Sequence, residues 1–249
     1  MVRAIGDKVR RALQAQASPL DLIRLRSLSP LLLVIPHPDD EVLGCGGLIA
    51  EASDLNLDVR IVYLTDGAAS HRGSPTWPPD RLARVRRQEA LQALDVLGVG
   101  AEDVLFLDWP DAAPNEPDSP AFGRSIGAIS RWRDRAPRSI WAPYINEDHC
   151  DHRAAWGLAC AVRRLWTSSP PTMFEYLVWG WNAPGVGERL RGRALWRLPC
   201  AHQIARRRRA LVCHATQLGS LIDDATQSFA LPQALTALTD CPTEIYLES

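Results

Sequence analysis

Two short stretches of this sequence crowd together residues that bind metals and move protons: PHPDDE at 36–41 and NEDHCDH at 146–152. The first offers His37, Asp39, Asp40 and Glu41, and the second offers His149, Asp151 and His152. Four ionisable groups on one short segment repel one another or lose hydration unless something organises them. A divalent cation does so, because imidazole nitrogen and carboxylate oxygen are both zinc ligands and the cation offsets the carboxylate charge. A donor set of histidine, carboxylate and histidine leaves coordination positions for water and substrate, the mark of a catalytic rather than a structural metal site. The other histidines, His71, His202 and His214, are scattered, and a lone histidine reads more simply as a structural or surface residue.

Both clusters fall where an α/β fold exposes its chemistry. From Leu31 onward, short apolar runs alternate with longer helical ones. LLLVI (31–35), VRIVYL (59–64), VLFL (104–107), SIWA (139–142) and FEYLVW (174–179) read as strands buried on both faces. Between them GGLIAEASDL, DRLARVRRQEALQALDVLG, FGRSIGAISRWRDR and HRAAWGLACAVRRLW read as helices. This repetition predicts a Rossmann-like α/β fold with a largely parallel central sheet flanked by helices. In such sheets ligands bind beyond the carboxyl ends of the strands. PHPDDE follows the first strand directly and NEDHCDH follows the fourth, so two segments about a hundred positions apart can converge on one ion.

Two further loops, 65–80 and 108–120, are long, polar and rich in Pro, Gly and Asp. They suit substrate-binding walls, although exposed connections without function read the same way. Residues 3–16 show helical spacing of apolar positions, so residues 1–30 are expected to form a helical extension to a domain spanning 31–249. Beyond 181 come a Gly/Arg-rich stretch, a basic helix HQIARRRRALVCHATQL whose arginines read as a solvated stripe, and a last strand TEIYLE.

With 249 residues and 46% hydrophobic content the chain can bury the core of one large domain. A formal net charge of -1 gives no field of the kind that gathers nucleic acid. All but one of the 28 cationic residues are arginine. The six cysteines contain no CxxC pair, which fits reduced thiols. Charges interrupt every apolar run of the opening segment, so neither a signal-peptide core nor a span of about 20 apolar residues is found. We therefore expect a soluble, cytoplasmic protein that acts on a small molecule; its oligomeric state is open, a homo-oligomer included.

PHPDDE after one strand and HCDH after a later one resemble the signatures of the LmbE/PIG-L family of N-acetylglucosaminyl deacetylases. Other features agree in order: LTDG at 64–67, Arg86 and Glu89 ahead of LG at 97–98, EYLVW, and an HATQ element at 214–217. The resemblance covers residues 31–249. It implies His37, Asp40 and His152 as ligands of Zn2+, with Fe2+ or another divalent ion as the alternative. It further implies Asp39 as the general base toward a metal-activated water. His149 would stabilise the oxyanion or protonate the leaving amine, with Asp151 orienting it. Arg86 would face the substrate, with Arg84 and Arg87 on the same helix as alternatives. The reaction so implied removes the N-acetyl group of an N-acetylglucosamine-containing small glycoside or glycoconjugate. Two departures stand out: Cys150 replaces a common proline of the second signature, and Glu147 stands where some members carry tyrosine. Glu41 is expected to bind backbone or support the ligands, and GCGG at 44–47 to let the first helix approach the sheet closely.

Two other readings use the same strand-end loops. A nucleotide-cofactor-binding Rossmann protein would explain strand, glycines and helix, but GCGG lacks the GxGxxG spacing and begins well after the strand ends. A non-haem iron oxygenase would use His37, Asp39 and a distant histidine, but that chemistry usually sits on a double-sheet β fold.

Overall fold

The computed structural model describes residues 2–249, with the side chains of 8–132 and 134–249, and the statements below concern these. The strands are β1 (Ser18–Pro19), β2 (Leu31–Ile35), β3 (Val59–Thr65), β4 (His71–Arg72), β5 (Val104–Trp109), β6 (Ser139–Pro143), β7 (Thr172–Tyr176), β8 (Leu195–Pro199), β9 (Gln227–Ser228) and β10 (Thr243–Glu248). The helices are α1 (Val2–Gln16), α2 (Leu22–Ser27), α3 (Asp40–Asp54), α4 (Pro79–Leu97), α5 (Pro120–Ile129), α6 (Cys150–Arg163), α7 (Val186–Arg189), α8 (Ile204–Cys213) and α9 (Gln233–Thr236). Among the described residues the main sheet has the order β1-β8-β10-β7-β6-β2-β3-β5, and β4 pairs with β9 in a separate ribbon. The strands of the main sheet pair in parallel except β10, which is antiparallel to β7 and β8. The expected Rossmann-like, largely parallel α/β fold is thus what the chain forms.

Alternation along the central strands builds two cores, since successive side chains point to opposite faces. Leu31, Leu33, Ile35, Ile61 and Tyr63 share one apolar cluster with the inner faces of α3 and α4. Leu32, Val34, Val62 and Leu64 share the other with α5 and α6. Burial on both faces is why these strands read as unbroken apolar runs. From β2 the chain steps outward through α3 to β3 and through α4 to β5, then returns through α5 to β6 on the other side of β2. The order therefore reverses between β2 and β6, the place where an open α/β sheet binds its ligand. PHPDDE leaves β2 and NEDHCDH leaves β6 at this point.

Several boundaries differ from the sequence reading for identifiable reasons. Helix α3 begins at Asp40 rather than Gly46, with Asp40 and Glu41 in its first turn, where the positive end of the helix dipole favours carboxylates. Its glycines serve packing: a Cβ on Gly44 would lie 2.9 Å from Tyr176 Cε2, and one on Gly47 2.7 Å from Cys200 Sγ. Strand β7 stops at Tyr176 because the next backbone donors, Val178 N–H and Gly180 N–H, are taken by the Glu147 carboxylate at 2.8 and 3.0 Å. Strand β8 lies in the Gly/Arg-rich stretch beyond 181, where no strand is expected from the sequence, with Leu195 and Leu198 buried.

The N-terminal segment is tied into the domain: Ser18–Pro19 pair with β8, and Leu13, Leu20, Leu25 and Leu28 join the larger core. The face expected of residues 3–7 lies outside the described side chains. The ARRRRA run is not a plain solvated stripe. Arg207 is buried and donates to the carbonyls of Leu238 and Cys241, while Arg206 and Arg208 pair with Asp54 and Asp240. Among the described residues no helix is long and apolar enough to cross a membrane.

Candidate metal centre and active site

The ends of β2 and β6 bring His37, Asp40 and His152 together. His37 follows β2, Asp40 opens α3, and His152 lies in the first turn of α6. Asp40 Oδ2 stands 3.1 Å from His37 Nδ1 and 3.2 Å from His152 Nε2. The two rings are 5.4 Å apart between centroids. His152 is 0% exposed, yet neither of its ring nitrogens makes a hydrogen bond. A buried imidazole whose nitrogens make no hydrogen bond is costly, and a cation shared by Nε2 and the neighbouring Asp40 carboxylate would satisfy it. The donor chemistry and this orphaned nitrogen therefore fit a divalent metal ion held by His37, Asp40 and His152.

Electrostatics agree with that grouping. Burial disfavours the ionised form of Asp40, but the imidazoles of His152 and His37 hold its carboxyl far below the usual carboxylate range. Burial alone would lower the pKa of His37; hydrogen bonds to Asp111, Asp151 and Asp40 instead raise it well above the ordinary value. A proton so held is one that a metal ion displaces.

A further ring of carboxylates surrounds the imidazoles of His37 and His152. The far nitrogen of His37, Nε2, lies 3.0 Å from Asp151 Oδ2 and 3.4 Å from Asp111 Oδ1. Asp151 also accepts from Ala112 N–H at 2.8 Å, and Asp111 accepts from Ala69 N–H at 2.9 Å. Glu147 Oε2 is 3.9 Å from His152 Nδ1. Carboxylates behind metal-binding imidazoles set tautomer and ring orientation. Asp151 thus stands closer to His37 than to His149, whose Nδ1 is 3.8 Å away; a role orienting His149 alone understates it. His149 caps α6, its Nδ1 accepting from Asp151 N–H at 3.3 Å. In the neutral ring Nε2 then carries the proton. Burial lowers the pKa of His149, and the neighbouring His37 and His152 lower it further.

Asp39 lines the same cavity as His37, Asp40 and His149. Its φ of 137° is unusual for a non-glycine residue, and such strain persists only where the surroundings impose it. Here Asp39 N–H donates to Glu41 Oε2 at 2.9 Å, and Glu41 Oε1 is held by His214 Nε2 at 2.6 Å. Glu41 therefore binds backbone, as expected. Burial raises the Asp39 carboxyl to about 7, with Arg86 opposing the shift and Asp40 adding to it. Arg86 is buried, donating to Gly67 O at 2.7 Å, Pro38 O at 2.6 Å and Asp39 Oδ2 at 3.2 Å. It lines the cavity, but its guanidinium first serves Asp39 and the loop carbonyls. Gly67 has φ of +67°, and a Cβ there would meet the Arg86 guanidinium, so LTDG needs its glycine.

Sequence reasoning missed Asp111, which sits in loop 108–120 among other aspartates with no spacing signal, and it left Glu147 without a role. The late HATQ element is better explained: His214 clamps Glu41, while Thr216 donates from N–H and Oγ1 to Glu89 at 2.9 and 2.6 Å. PHPDDE, LTDG, Arg86, Glu89, HCDH and HATQ, which carry the resemblance, are thus linked by contacts in space.

Known proteins resemble the chain in the same region. It is 31% identical over 129 residues to the diacetylchitobiose deacetylase of Thermococcus kodakarensis, covering 50% of this chain and 45% of that protein. This chain thus spans less than half the length of that relative. It is 28% identical over 263 residues to the 1D-myo-inositol 2-acetamido-2-deoxy-alpha-D-glucopyranoside deacetylase of Corynebacterium diphtheriae, covering 87% and 84% of the two chains. Among solved structures, the conserved protein TT1542 from Thermus thermophilus superposes with a TM-score of 0.56 at 27% identity, over 76% of this chain and 79% of that one. Residues 32–162, just over half of the sequence and carrying both His/Asp segments, match the family described as PIG-L: GlcNAc-PI de-N-acetylase, and the chain belongs to that family.

Proposed function

We propose that the chain is a zinc-dependent N-deacetylase that hydrolyses the acetamide of an N-acetylglucosamine-containing small glycoside or glycoconjugate, releasing acetate and a free amine. The observation that carries this reading is the convergence of His37 Nδ1 and His152 Nε2 on Asp40 Oδ2, at 3.1 and 3.2 Å, beside the buried Asp39. Two imidazoles and a carboxylate suit zinc, and ferrous iron is the alternative that cellular availability would decide. When bound, such an ion acidifies water and polarises a carbonyl.

The chain's own residues supply the remaining steps. Arg86 takes Asp39 Oδ2, which leaves Oδ1 to accept a proton from the attacking water, and the strained turn held by Glu41 and His214 keeps that carboxylate in position. His149 presents Nε2–H as a donor for the tetrahedral oxyanion and then for the leaving amine. Asp151 and Asp111 hold His37, and Glu147 backs His152, so the ligands are oriented before substrate arrives. Arg86, on the cavity wall, also serves as a contact for the sugar. The catalytic unit is taken as residues 31–249, with 1–30 as a largely helical extension whose Ser18–Pro19 strand joins β8 and whose Leu13, Leu20, Leu25 and Leu28 complete the core. The glycines of α3 are occupied by packing against Tyr176 and Cys200, which argues against a dinucleotide site.

The test is acetate release from a panel of small N-acetylglucosaminides. Acetate and amine should appear in equal amounts, vanish on chelation and return with added zinc. Absence of release with zinc and with ferrous iron alike would overturn the reading.

A further inference from the structure

The cavity that holds the reacting groups continues onto a wall of carbon. Its volume is about 310 Å3, and beside His37, Asp39 and His149 it is lined by Leu43, Trp179, Phe229, Leu231 and Leu235. These side chains come from four places: α3, the turn after β7, the segment after β9, and α9. The Trp179 and Phe229 rings lie 6.1 Å apart between centroids, tilted by 54°. Hydroxyls of a second sugar or of a polyol against this wall would give up water without gaining partners. Carbon there is favoured in proportion to the area removed from water.

Polar groups are also present on the cavity, enough for one sugar ring. Gln217 is 0% exposed and donates from Nε2 to Ser70 Oγ and Thr216 Oγ1, while its Oε1 is buried with no partner and can accept from a ring hydroxyl. Arg72, on β4, is exposed, so solvent can serve its charge without a ligand anion.

The apolar wall is built in advance. The segment carrying Phe229 is anchored by the pairing of His71 and Arg72 with Ser228 and Gln227, and by Asp224 accepting from the Ser74 and Thr76 hydroxyls. Leu231 N–H donates to Gln217 O at 2.8 Å. Preformed walls bind without the cost of ordering a loop.

Resting on the deacetylase reading above, we propose that the substrate is an N-acetylglucosaminide whose aglycone is apolar, an alkyl or aryl group seated against Trp179, Phe229, Leu231 and Leu235, rather than a second sugar or a polyol.

The experiment compares methyl and hexyl 2-acetamido-2-deoxy-β-D-glucopyranoside and N,N'-diacetylchitobiose, below the micelle concentration, with the zinc-loaded full chain. Each methylene that enters the wall is worth about fourfold, so two or more give hexyl over methyl a kcat/KM ratio of at least about tenfold. Phe229→Ala should bring that ratio to within about threefold, and Phe229→Leu, which keeps apolar area, should restore most of it. Calorimetric titration with the corresponding methyl and hexyl 2-amino-2-deoxyglucosides, the products, reads the same ratio as affinity without turnover. If no substrate releases acetate, the deacetylase reading fails while the titration still decides the wall. A hexyl-to-methyl ratio near one in the wild type, a ratio unchanged by Phe229→Ala, or chitobiose turned over as well as the hexyl glycoside would overturn the proposal.

Discussion

Replacing Arg86 by methionine tests how the arrangement around Asp39 is held, because one guanidinium there serves three acceptors. The Arg86 and Asp39 side chains are 3% and 7% exposed and stand 3.2 Å apart, and Arg86 also donates to Pro38 O and Gly67 O at 2.6 and 2.7 Å. Methionine fills similar space but leaves the carboxylate without that counter-charge, Pro38 O without its Arg86 donor, and Gly67 O with only the Ser70 hydroxyl at 3.4 Å. Removing one side of a buried, hydrogen-bonded ion pair costs about 3–5 kcal/mol. Protonation of Asp39, already raised to about 7 by burial, offers an escape at neutral pH, so the loss should fall near the lower end, about 3 kcal/mol. Asp39→Asn removes the charge that Arg86 serves, so Arg86→Met and Asp39→Asn should couple by about 1–3 kcal/mol. The assay is urea unfolding of the chelated wild type, both single variants and the double variant at one pH. A loss under about 1 kcal/mol for Arg86→Met, or full additivity in the cycle, would refute the claim that Arg86 holds Asp39.

Other perturbations probe separate parts of the account. Gly44→Ala pushes a methyl against the Tyr176 ring, whose hydroxyl is tied to Val34 O at 2.9 Å; we expect about 2 kcal/mol of destabilisation, seen as a Tm lower by about 4–8 °C. Asp39→Asn should keep its metal in mass-spectrometric analysis while acetate release falls by about 10²–10⁴-fold, and near-wild-type turnover would remove Asp39 as the base. Glu147→Ala frees the buried N–H groups of Val178 and Gly180 and withdraws the carboxylate behind His152. Zinc affinity measured by chelator competition should drop by about 10–100-fold, and unchanged affinity would limit Glu147 to holding the chain turn.

Much of the fold was legible because it rests on a strong signal. Strands such as Leu31–Ile35 and Val59–Thr65 are buried on both faces, so they appear as apolar runs whatever their neighbours do. The clustering of His37, Asp40 and His152 was legible for a related reason: histidines and carboxylates at the ends of two strands separate from the scattered polar background. The start of α3 was harder, because PHPDDE resembles a loop and the glycines that follow weaken the helical pattern, although Asp40 and Glu41 are themselves a helix-start signal. Asp111 could not be told from Asp108 or Asp118, since only the return of loop 108–120 over β2 selects it. The wall formed by Phe229, Leu231 and Leu235 was equally hidden. It depends on a two-residue ribbon, β4 with β9, that joins segments about 150 positions apart, and no local periodicity records such a pairing.

The central claim is that His37, Asp40 and His152 share one divalent ion, and metal content per chain is its most direct test. Wild type reconstituted with zinc and freed of excess should retain about one ion per chain, while His152→Ala, folded by circular dichroism, should retain less than about a tenth of that. Stoichiometric zinc in the variant, or none in the wild type, would contradict the account.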